Sequence, residues 1–157
     1  MSTFQAQVRA NSVALISLSV ALVALSYNTW RNETTESQRN VRQAAFKVLE
    51  SLGELQEVVD YRYYYFSFES DHAPEGDSRL RGYGSVAMIR DLMNLMPTPA
   101  PAASDNLFHL WNEHVNALSD LDENRHHSDA AALAEKELTA AIQQARVAVM
   151  RVLKTLE

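Results

Sequence analysis

Five histidines are the residues of this sequence that most directly suggest metal chemistry, because imidazole is a common metal ligand. His109 and His114 are five positions apart, about 140° around a helix, so they do not share a face. His126 and His127 are adjacent, and Glu123 with His126 forms a single Glu-x-x-His motif. Di-iron bundles need two such motifs and two further inward glutamates. We therefore predict neither a metal site nor a cofactor.

Catalytic motifs are also missing from the sequence. It contains no Gly-x-Ser-x-Gly, phosphate-loop or dinucleotide motif. It has no cysteine, which excludes thiol nucleophiles, disulfides and thiolate zinc sites. Paired carboxylates such as Asp122 and Glu123 are typical of a solvated turn. No set of residues supplies a nucleophile, a base and an oxyanion site, so we predict that the protein is not an enzyme.

Six aromatic residues within eight positions form the most unusual cluster of the chain: Tyr61, Tyr63, Tyr64, Tyr65, Phe66 and Phe68. They would cover every face of a helix, so some must point away from a simple core. One interpretation is a contact patch for a partner or ligand, formed by Tyr61, Tyr64, Tyr65 and Phe68 together with Trp111. The other is the wide end of a helical core, with tyrosines reaching water at the tip of a bundle.

The charge distribution argues against nucleic-acid binding. The chain has 14 Lys and Arg against 20 Asp and Glu, and every acidic residue lies at or after Glu33. Arg9 is the only Lys or Arg before residue 31. Residues 31–157 therefore carry 13 basic against 20 acidic residues, a formal charge of −7. An acidic domain repels a phosphate backbone, and we predict no nucleic-acid partner.

The N-terminal segment is long and apolar enough to cross a membrane. No residue from Ala10 to Trp30 is charged, which makes 21 consecutive positions. A bilayer core of about 30 Å requires about 20 helical residues. The sequence therefore predicts a tail at 1–10 and a transmembrane helix at 11–30, with the lipid bilayer as a partner.

The residues that flank this segment support a retained span. Arg9 and Arg31 bracket it, and Tyr27 and Trp30 lie where an interfacial aromatic belt is expected. Two alternatives remain open. Ala24-Leu25-Ser26 could be a signal-peptide cleavage site, and an apolar helix of this length could also be a buried core helix.

One face of the predicted span carries small residues at spacings of 4, 3, 4, 3 and 4: Ala10, Ala14, Ser17, Ala21, Ala24 and Asn28. Small side chains let two helix backbones approach closely, and an asparagine can donate hydrogen bonds across the pair. This pattern favours a homo-oligomer or docking onto another membrane protein. The alternative is that alanine and serine are simply common in weakly apolar spans.

The distribution of positive charge predicts the orientation. Arg31, Arg39, Arg42 and Lys47 follow the span, whereas only Arg9 and the terminal amine precede it. The positive-inside rule then places the soluble domain in the cytoplasm, with the periplasm as the alternative.

The remaining chain, residues 31–157, has the pattern of a soluble helical bundle. Heptad spacing recurs in two segments: Val41, Ala45, Val48, Leu52, Leu55 and Val59, then Leu138, Ile142, Ala145, Val149, Val152 and Leu156. We predict helices at about 32–68, 85–96, 104–121 and 128–156. The fold class is all-α, with a single N-terminal transmembrane helix that continues into an antiparallel, four-helix-like bundle. An open hairpin completed by a second chain is the alternative.

Glycine and proline define the predicted connectors. The segment 70–84 contains three of the four glycines and is expected to be a loop. The segment 96–103, with alternating prolines, is expected to be extended and to exclude a helix. Ser104 or Asp105 could cap the third helix, and Ser128 could cap the last one.

Residues 12–56, with a Tyr-Asn-x-Trp-Arg-Asn-Glu junction at 27–33, make the chain resemble small, uncharacterised single-span membrane proteins of Gram-negative bacteria. The resemblance covers about the first third of the chain. It implies residence in the bacterial inner membrane and carries no activity with it.

A helical bundle beside a membrane span is also similar in architecture to the ligand-binding domains of bacterial chemoreceptors and sensor kinases. Those proteins have a second span and a signalling module, which this sequence does not show. We therefore expect a membrane-anchored interaction or scaffold protein that self-assembles or serves as an accessory subunit. A ligand-sensing bundle is the alternative.

Overall fold

A computed structural model describes residues 11–66 and 75–156 of the chain. Its elements are α1 (Ser12–Asp60), a π-helical turn (Tyr61–Phe66), α2 (Glu75–Asn94), α3 (Ala100–His114), a 3-10 turn (Ala117–Ser119) and α4 (Asp129–Thr155). Between the described residues the only β pairing is an isolated bridge that joins Leu121 to His127. The prediction of an all-α protein is confirmed.

The chain divides into two compact units, residues 1–40 and 41–157. In the first unit the described residues lie almost entirely in α1, and their large apolar side chains are exposed: Val13 is 75% exposed, Val23 70% and Trp30 64%. By length and composition, α1 is the one helix of the described residues that could cross a membrane.

In the second unit, α2 runs antiparallel to α1. The Ser51 hydroxyl donates a hydrogen bond to the Met88 sulfur over 3.4 Å. Arg62, in the π-helical turn that directly follows α1, contacts Ser78, earlier on α2. Because one residue number rises while the other falls, the two helices run in opposite directions.

The other neighbouring pairs of helices are antiparallel as well. Arg90 of α2 pairs with Asp105 of α3 at 2.9 Å, and Arg79, earlier on α2, contacts Asn116, just after α3, over 3.3 Å. His114 at the end of α3 pairs with Glu137 of α4 at 2.6 Å.

The first and last helices are antiparallel too. The Gln56 amide of α1 donates a hydrogen bond to Thr139 of α4 over 3.1 Å, and Arg42, earlier on α1, donates one to the carbonyl of Leu156, which follows α4. These contacts close a ring of four helices in an up-down-up-down order, which confirms the predicted antiparallel bundle.

The heptad positions form the core of this bundle. In α1 and α4 the interior positions of both predicted heptads are fully or almost fully buried, and only the outermost members, Val41 and Leu156, are partly exposed. Between them pack apolar residues of α2 and α3, namely Val86, Ile89, Met93, Leu107 and Trp111. The apolar periodicity of the sequence therefore identified the inward faces of the helices.

The predicted loop at 70–84 is wrong for its last ten residues, because α2 begins at Glu75, and residues 70–74 lie outside the described residues. Three glycines lie inside this helix, although glycine lowers helix stability by about 1 kcal/mol relative to alanine. Gly82 faces the buried indole of Trp111, and a Cβ on Gly82 would lie 2.2 Å from Trp111 Cζ2. Tertiary packing therefore requires the glycine that the sequence pattern interpreted as a helix breaker.

The proline connector is shorter than predicted. α3 begins at Ala100, with Pro99 at its N-cap and Pro101 in its first turn. Proline fits there because the first helical N–H groups have no partner inside the helix. Ser104 and Asp105 therefore lie within α3 rather than at its cap, and the Ser104 hydroxyl donates a hydrogen bond to the Pro101 carbonyl over 2.8 Å.

Two further helix ends differ from the prediction. α3 ends at His114 rather than near residue 121, and the 3-10 turn then keeps Leu118 buried. α1 gives way to the π-helical turn after Asp60, so the predicted end near residue 68 lies outside the described residues.

The predicted start of the last helix is confirmed. Ser128 is the N-cap of α4, and its hydroxyl accepts a hydrogen bond from the backbone N–H of Ala131 over 3.0 Å. This bond satisfies one of the free N–H groups of the first turn.

Candidate functional site

The small-residue face predicted for the span lies on α1. At 100° per residue, Ala14, Ser17, Ala21, Ala24 and Asn28 fall within an arc of about 80°, and all five are exposed. Ala10 belongs to the same series but lies outside the described residues. The role of this face in association stays a prediction.

Ser19 lies roughly opposite the small-residue face. Its hydroxyl donates a hydrogen bond to the Leu15 carbonyl over 2.9 Å, one turn earlier on the same helix. This bond satisfies the hydroxyl without a partner molecule, as an apolar environment requires.

The aromatic cluster begins where α1 widens into the π-helical turn, a form that is frequent at functional sites. The Tyr61 and Tyr65 rings are nearly parallel, with centroids 6.4 Å apart. Tyr63 instead stacks on His127 at 3.9 Å. Tyr64 is 53% exposed, and the negative charge of Glu135 raises the pKa of its phenol. The turn thus directs its tyrosines in different directions.

Of the predicted contact patch, Trp111 does not join the tyrosines, and Phe68 cannot be compared with them. Trp111 is fully buried, and its ring meets Tyr83 edge-on with centroids 5.9 Å apart. It is a core residue and does not line a patch with the tyrosines. Phe68 lies outside the described residues, so its part of the prediction stays a prediction.

A cavity of about 780 Å³ opens beside Tyr61 and Tyr65, which are the two residues of the predicted patch that line it. Its walls come from three helices and the π-helical turn: Gly53, Gln56, Glu57, Val58, Asp60, Tyr61, Tyr65, Asp77, Ser78, Arg81 and Arg146. We call it the α1–α2–α4 cavity. Its size is within the range of small-molecule sites, about 300–1,000 Å³.

Both signs of charge line this cavity. Glu57, Asp60 and Asp77 supply three carboxylates, whereas Arg81 and Arg146 supply two guanidinium groups. A site with this lining can pair with an anion and a cation at the same time.

Two polar atoms of the lining residues are buried and have no hydrogen-bond partner among the described residues, Gln56 Oε1 and Arg146 Nε. The Gln56 amide is held in place, since its nitrogen donates to Asp60 over 2.7 Å and to Thr139 over 3.1 Å. A buried polar atom without a partner costs about 1–3 kcal/mol, so both atoms lower the stability of this part of the bundle.

Arg62 is a buried residue that the sequence did not single out. Its side chain is 1% exposed, and its two terminal nitrogens donate hydrogen bonds to Ser78 and Ser119, each over 3.2 Å. It links the π-helical turn to α2 and to the 3-10 turn. Nothing in the sequence predicted that it lies in the core, because arginine side chains are mostly exposed in folded proteins.

The four histidines within the described residues do not converge on a metal site, and His72 lies outside those residues. His109 is exposed beside Glu113, whereas His114 pairs with Glu137 between α3 and α4. Over residues 11–66 and 75–156, no group of three His, Asp or Glu side chains has the geometry to hold a metal ion.

Comparison of the chain with protein-family models, with curated proteins and with solved structures found no significant match.

Proposed function

We propose that this chain is a membrane-anchored, non-enzymatic interaction protein that self-assembles through its N-terminal span or serves as an accessory subunit of a membrane complex. The observation that carries the proposal is the exposed apolar segment of α1. Its eight Val, Leu and Ile side chains between residues 13 and 25 are 47–75% exposed. Removing these side chains from water lowers the free energy by on the order of 10 kcal/mol, which favours a lipid or protein surface around this segment.

Several features favour lipid as the cover. Tyr27 and Trp30 lie at the C-terminal end of the apolar segment, with ring centroids 6.2 Å apart, followed directly by Arg31. The satisfied hydroxyl of Ser19 also suits an apolar surrounding. The resemblance of residues 12–56 to inner-membrane proteins supports the bacterial inner membrane. The excess of positive charge after the span supports a cytoplasmic bundle.

Expression of the full chain in a Gram-negative host tests the anchor and its orientation. We expect the protein to remain in the membrane after carbonate extraction at its full mass. A green fluorescent protein fused after the last residue should fluoresce, whereas an alkaline phosphatase fused there should be inactive. Release by carbonate, or a mass that reveals cleavage after residue 26, would contradict the anchor. An active phosphatase fusion would contradict only the orientation.

Association through the small-residue face gives a separate prediction. Ala21→Leu should weaken self-association of the full chain in bicelles by about 10- to 100-fold, because a larger side chain separates the two backbones. Resonance energy transfer between labelled copies measures this. Ser19→Leu, a similar increase in size on the opposite side of the helix, should leave association unchanged.

Equal effects of the two substitutions would exclude the small-residue face as the interface. A strictly monomeric chain that also co-purifies with no membrane protein would refute both forms of the proposal.

The α1–α2–α4 cavity favours a second candidate function, a bundle that binds a small molecule and reports its presence. Tyr61 and Tyr65 supply an aromatic wall, and both signs of charge are available beside it. This function is compatible with a membrane anchor, since the cavity lies wholly within residues 53–146.

A further inference from the structure

The end of the bundle that the chain enters first differs in charge from the rest of the domain. The antiparallel contacts between the helices bring three segments to this end: 41–50, 89–106 and 146–156. These segments hold six Lys and Arg against three Asp and Glu, whereas residues 51–88 and 107–145 hold five against fourteen. The bundle is therefore basic at one end, although the domain as a whole is acidic.

The last part of α4 combines basic and apolar side chains on its outer face. At 100° per residue, five side chains follow one another round about 140° of the helix: Arg146, Met150, Lys154, Val147 and Arg151. Residues 138–156 contain no acidic residue. Met150 is 43% exposed and Val147 is 58% exposed, so both present apolar surface outside the core.

Phe46 of α1 adds an aromatic ring beside this face. Arg42 donates a hydrogen bond to the carbonyl of Leu156, which joins this part of α1 to the end of α4. Phe46 lies one turn further along, within about 40° of Arg42, and is 64% exposed. The carboxylate of Glu50, one turn beyond Phe46, is already paired with Lys47 at 2.9 Å. The name basic–apolar surface is used below for these seven residues: Arg42, Phe46, Arg146, Val147, Met150, Arg151 and Lys154.

From this combination we infer that the basic–apolar surface docks on the surface of an anionic bilayer. The inference rests on the membrane anchor proposed above. Lys and Arg are attracted to anionic lipid headgroups, while aromatic and aliphatic side chains between them enter the boundary between headgroups and acyl chains. The same membrane repels the acidic segments, so the separation of charge along the bundle turns its basic end towards lipid.

The chain itself tethers the basic–apolar surface to the bilayer in which the span is proposed to lie. The bundle unit begins at Val41, and residues 32–40 connect it to the predicted end of the span. These nine residues are exposed and include no apolar side chain, so no side-chain packing opposes a bend there. Docking of a tethered domain is intramolecular, so individually weak contacts with lipid are sufficient.

A second copy of the chain fits this surface less well. In a dimer with two-fold symmetry the same patch faces itself, so the arginines and lysine of one copy would meet those of the other. Like charges at such an interface repel one another, whereas anionic lipid complements them.

A fluorescent label on α4 tests the inference. The chain has no cysteine, so a single introduced cysteine is a unique labelling position. The full chain with Met150→Cys, labelled with an environment-sensitive dye, should emit at shorter wavelength in nanodiscs of equal parts phosphatidylglycerol and phosphatidylcholine than in phosphatidylcholine alone. High salt should reverse the shift, because it screens the attraction. Leu133→Cys is the matched control: it is half exposed on the same helix, about 25 Å from Met150, and its dye should not respond.

A matched pair of double substitutions, made in the chain labelled at residue 150, tests the charges. Arg151→Gln with Lys154→Gln should lower the equilibrium constant for docking about 25-fold, since each basic residue near an anionic surface contributes about fivefold. Arg79→Gln with Lys136→Gln removes the same charge from exposed positions outside the surface and should leave the constant unchanged. Circular dichroism verifies that the helices are retained. Equal effects of the two pairs would overturn the inference.

The outcomes in nanodiscs separate the failure of this inference from the failure of the anchor. If the chain is retained in nanodiscs and the dye at residue 150 ignores phosphatidylglycerol, the anchor stands and the inference is overturned. A shift that is equal in both lipids and grows with the number of copies per disc would assign the surface to a second copy and overturn the inference as well. A chain that does not enter nanodiscs would contradict the anchor and the inference together.

Discussion

Replacing Gly82 with alanine is expected to lower the free energy of unfolding of the bundle by about 1–3 kcal/mol. A Cβ at this position would lie 2.2 Å from Trp111 Cζ2 and 2.3 Å from Cη2. Trp111 is fully buried, so its ring cannot move into solvent without opening the core. The clash outweighs the higher helix propensity of alanine, which is worth about 1 kcal/mol.

Gly84→Ala is the matched control on the same helix. A Cβ on Gly84 would meet no atom within 4 Å, so only the propensity gain remains. We expect Gly84→Ala to raise the free energy of unfolding by up to about 1 kcal/mol, opposite in sign to Gly82→Ala. Urea denaturation of the full chain in nanodiscs, followed by far-ultraviolet circular dichroism, measures both changes. Stabilisation by both substitutions would show that Trp111 does not pack on Gly82.

Replacing Arg62 with alanine is expected to lower the free energy of unfolding by about 2–4 kcal/mol, measured in the same way. The substitution removes a large buried side chain. It also removes the hydrogen bonds that the hydroxyls of Ser78 and Ser119 now accept from Arg62. Arg79→Ala is the control, because Arg79 is an exposed residue of α2 whose bond to Asn116 is 3.3 Å long. It should change the free energy of unfolding by less than about 0.5 kcal/mol.

Arg62→Met separates packing from hydrogen bonding. Methionine keeps most of the aliphatic volume and donates no hydrogen bond, so it should destabilise the bundle less than alanine does. If methionine and alanine are equally destabilising, the loss of stability comes from the hydrogen bonds of Arg62 rather than from the space that the shorter side chain leaves. If Arg62→Ala has no effect, Arg62 does not link the three segments.

The sequence predicted those parts of the fold that depend on periodicity within one helix. Heptad spacing identifies an inward face without knowledge of its neighbour, and Ala45, Leu52, Ile142 and Val149 are all buried as expected. The Ser128 cap was predictable for the same reason, since its partner is three residues away.

The errors come from contacts between helices. Gly82 was interpreted as part of a loop because nothing in the sequence places Trp111 above it. Trp111 was assigned to a surface patch because aromatic residues suit both cores and binding sites. The start of α3 was misplaced because proline is excluded from helix interiors but favoured in the first turn.

The candidate site was only half predictable. The sequence indicated Tyr61 and Tyr65 because they belong to a segment with six aromatic residues in eight positions. It could not identify Gln56 or Arg146, which are ordinary polar residues on two helices that are far apart in the sequence. They become part of one cavity lining only because α1 and α4 lie next to each other in the fold.

The pairing of α1 with α4 also has a kinetic consequence. Contacts between α1 and α2 or between α3 and α4 are closer in sequence, but Gln56 and Thr139 are separated by 83 residues and Arg42 and Leu156 by 114. Closing so long a loop costs more entropy than closing a hairpin, so it belongs late in folding. Of the four helices, α4 leaves the ribosome last. Until α4 has been synthesised, the face of α1 that packs on α4 is not covered by it. The nascent chain therefore has a period in which chaperones, lipid or a second copy compete for that face.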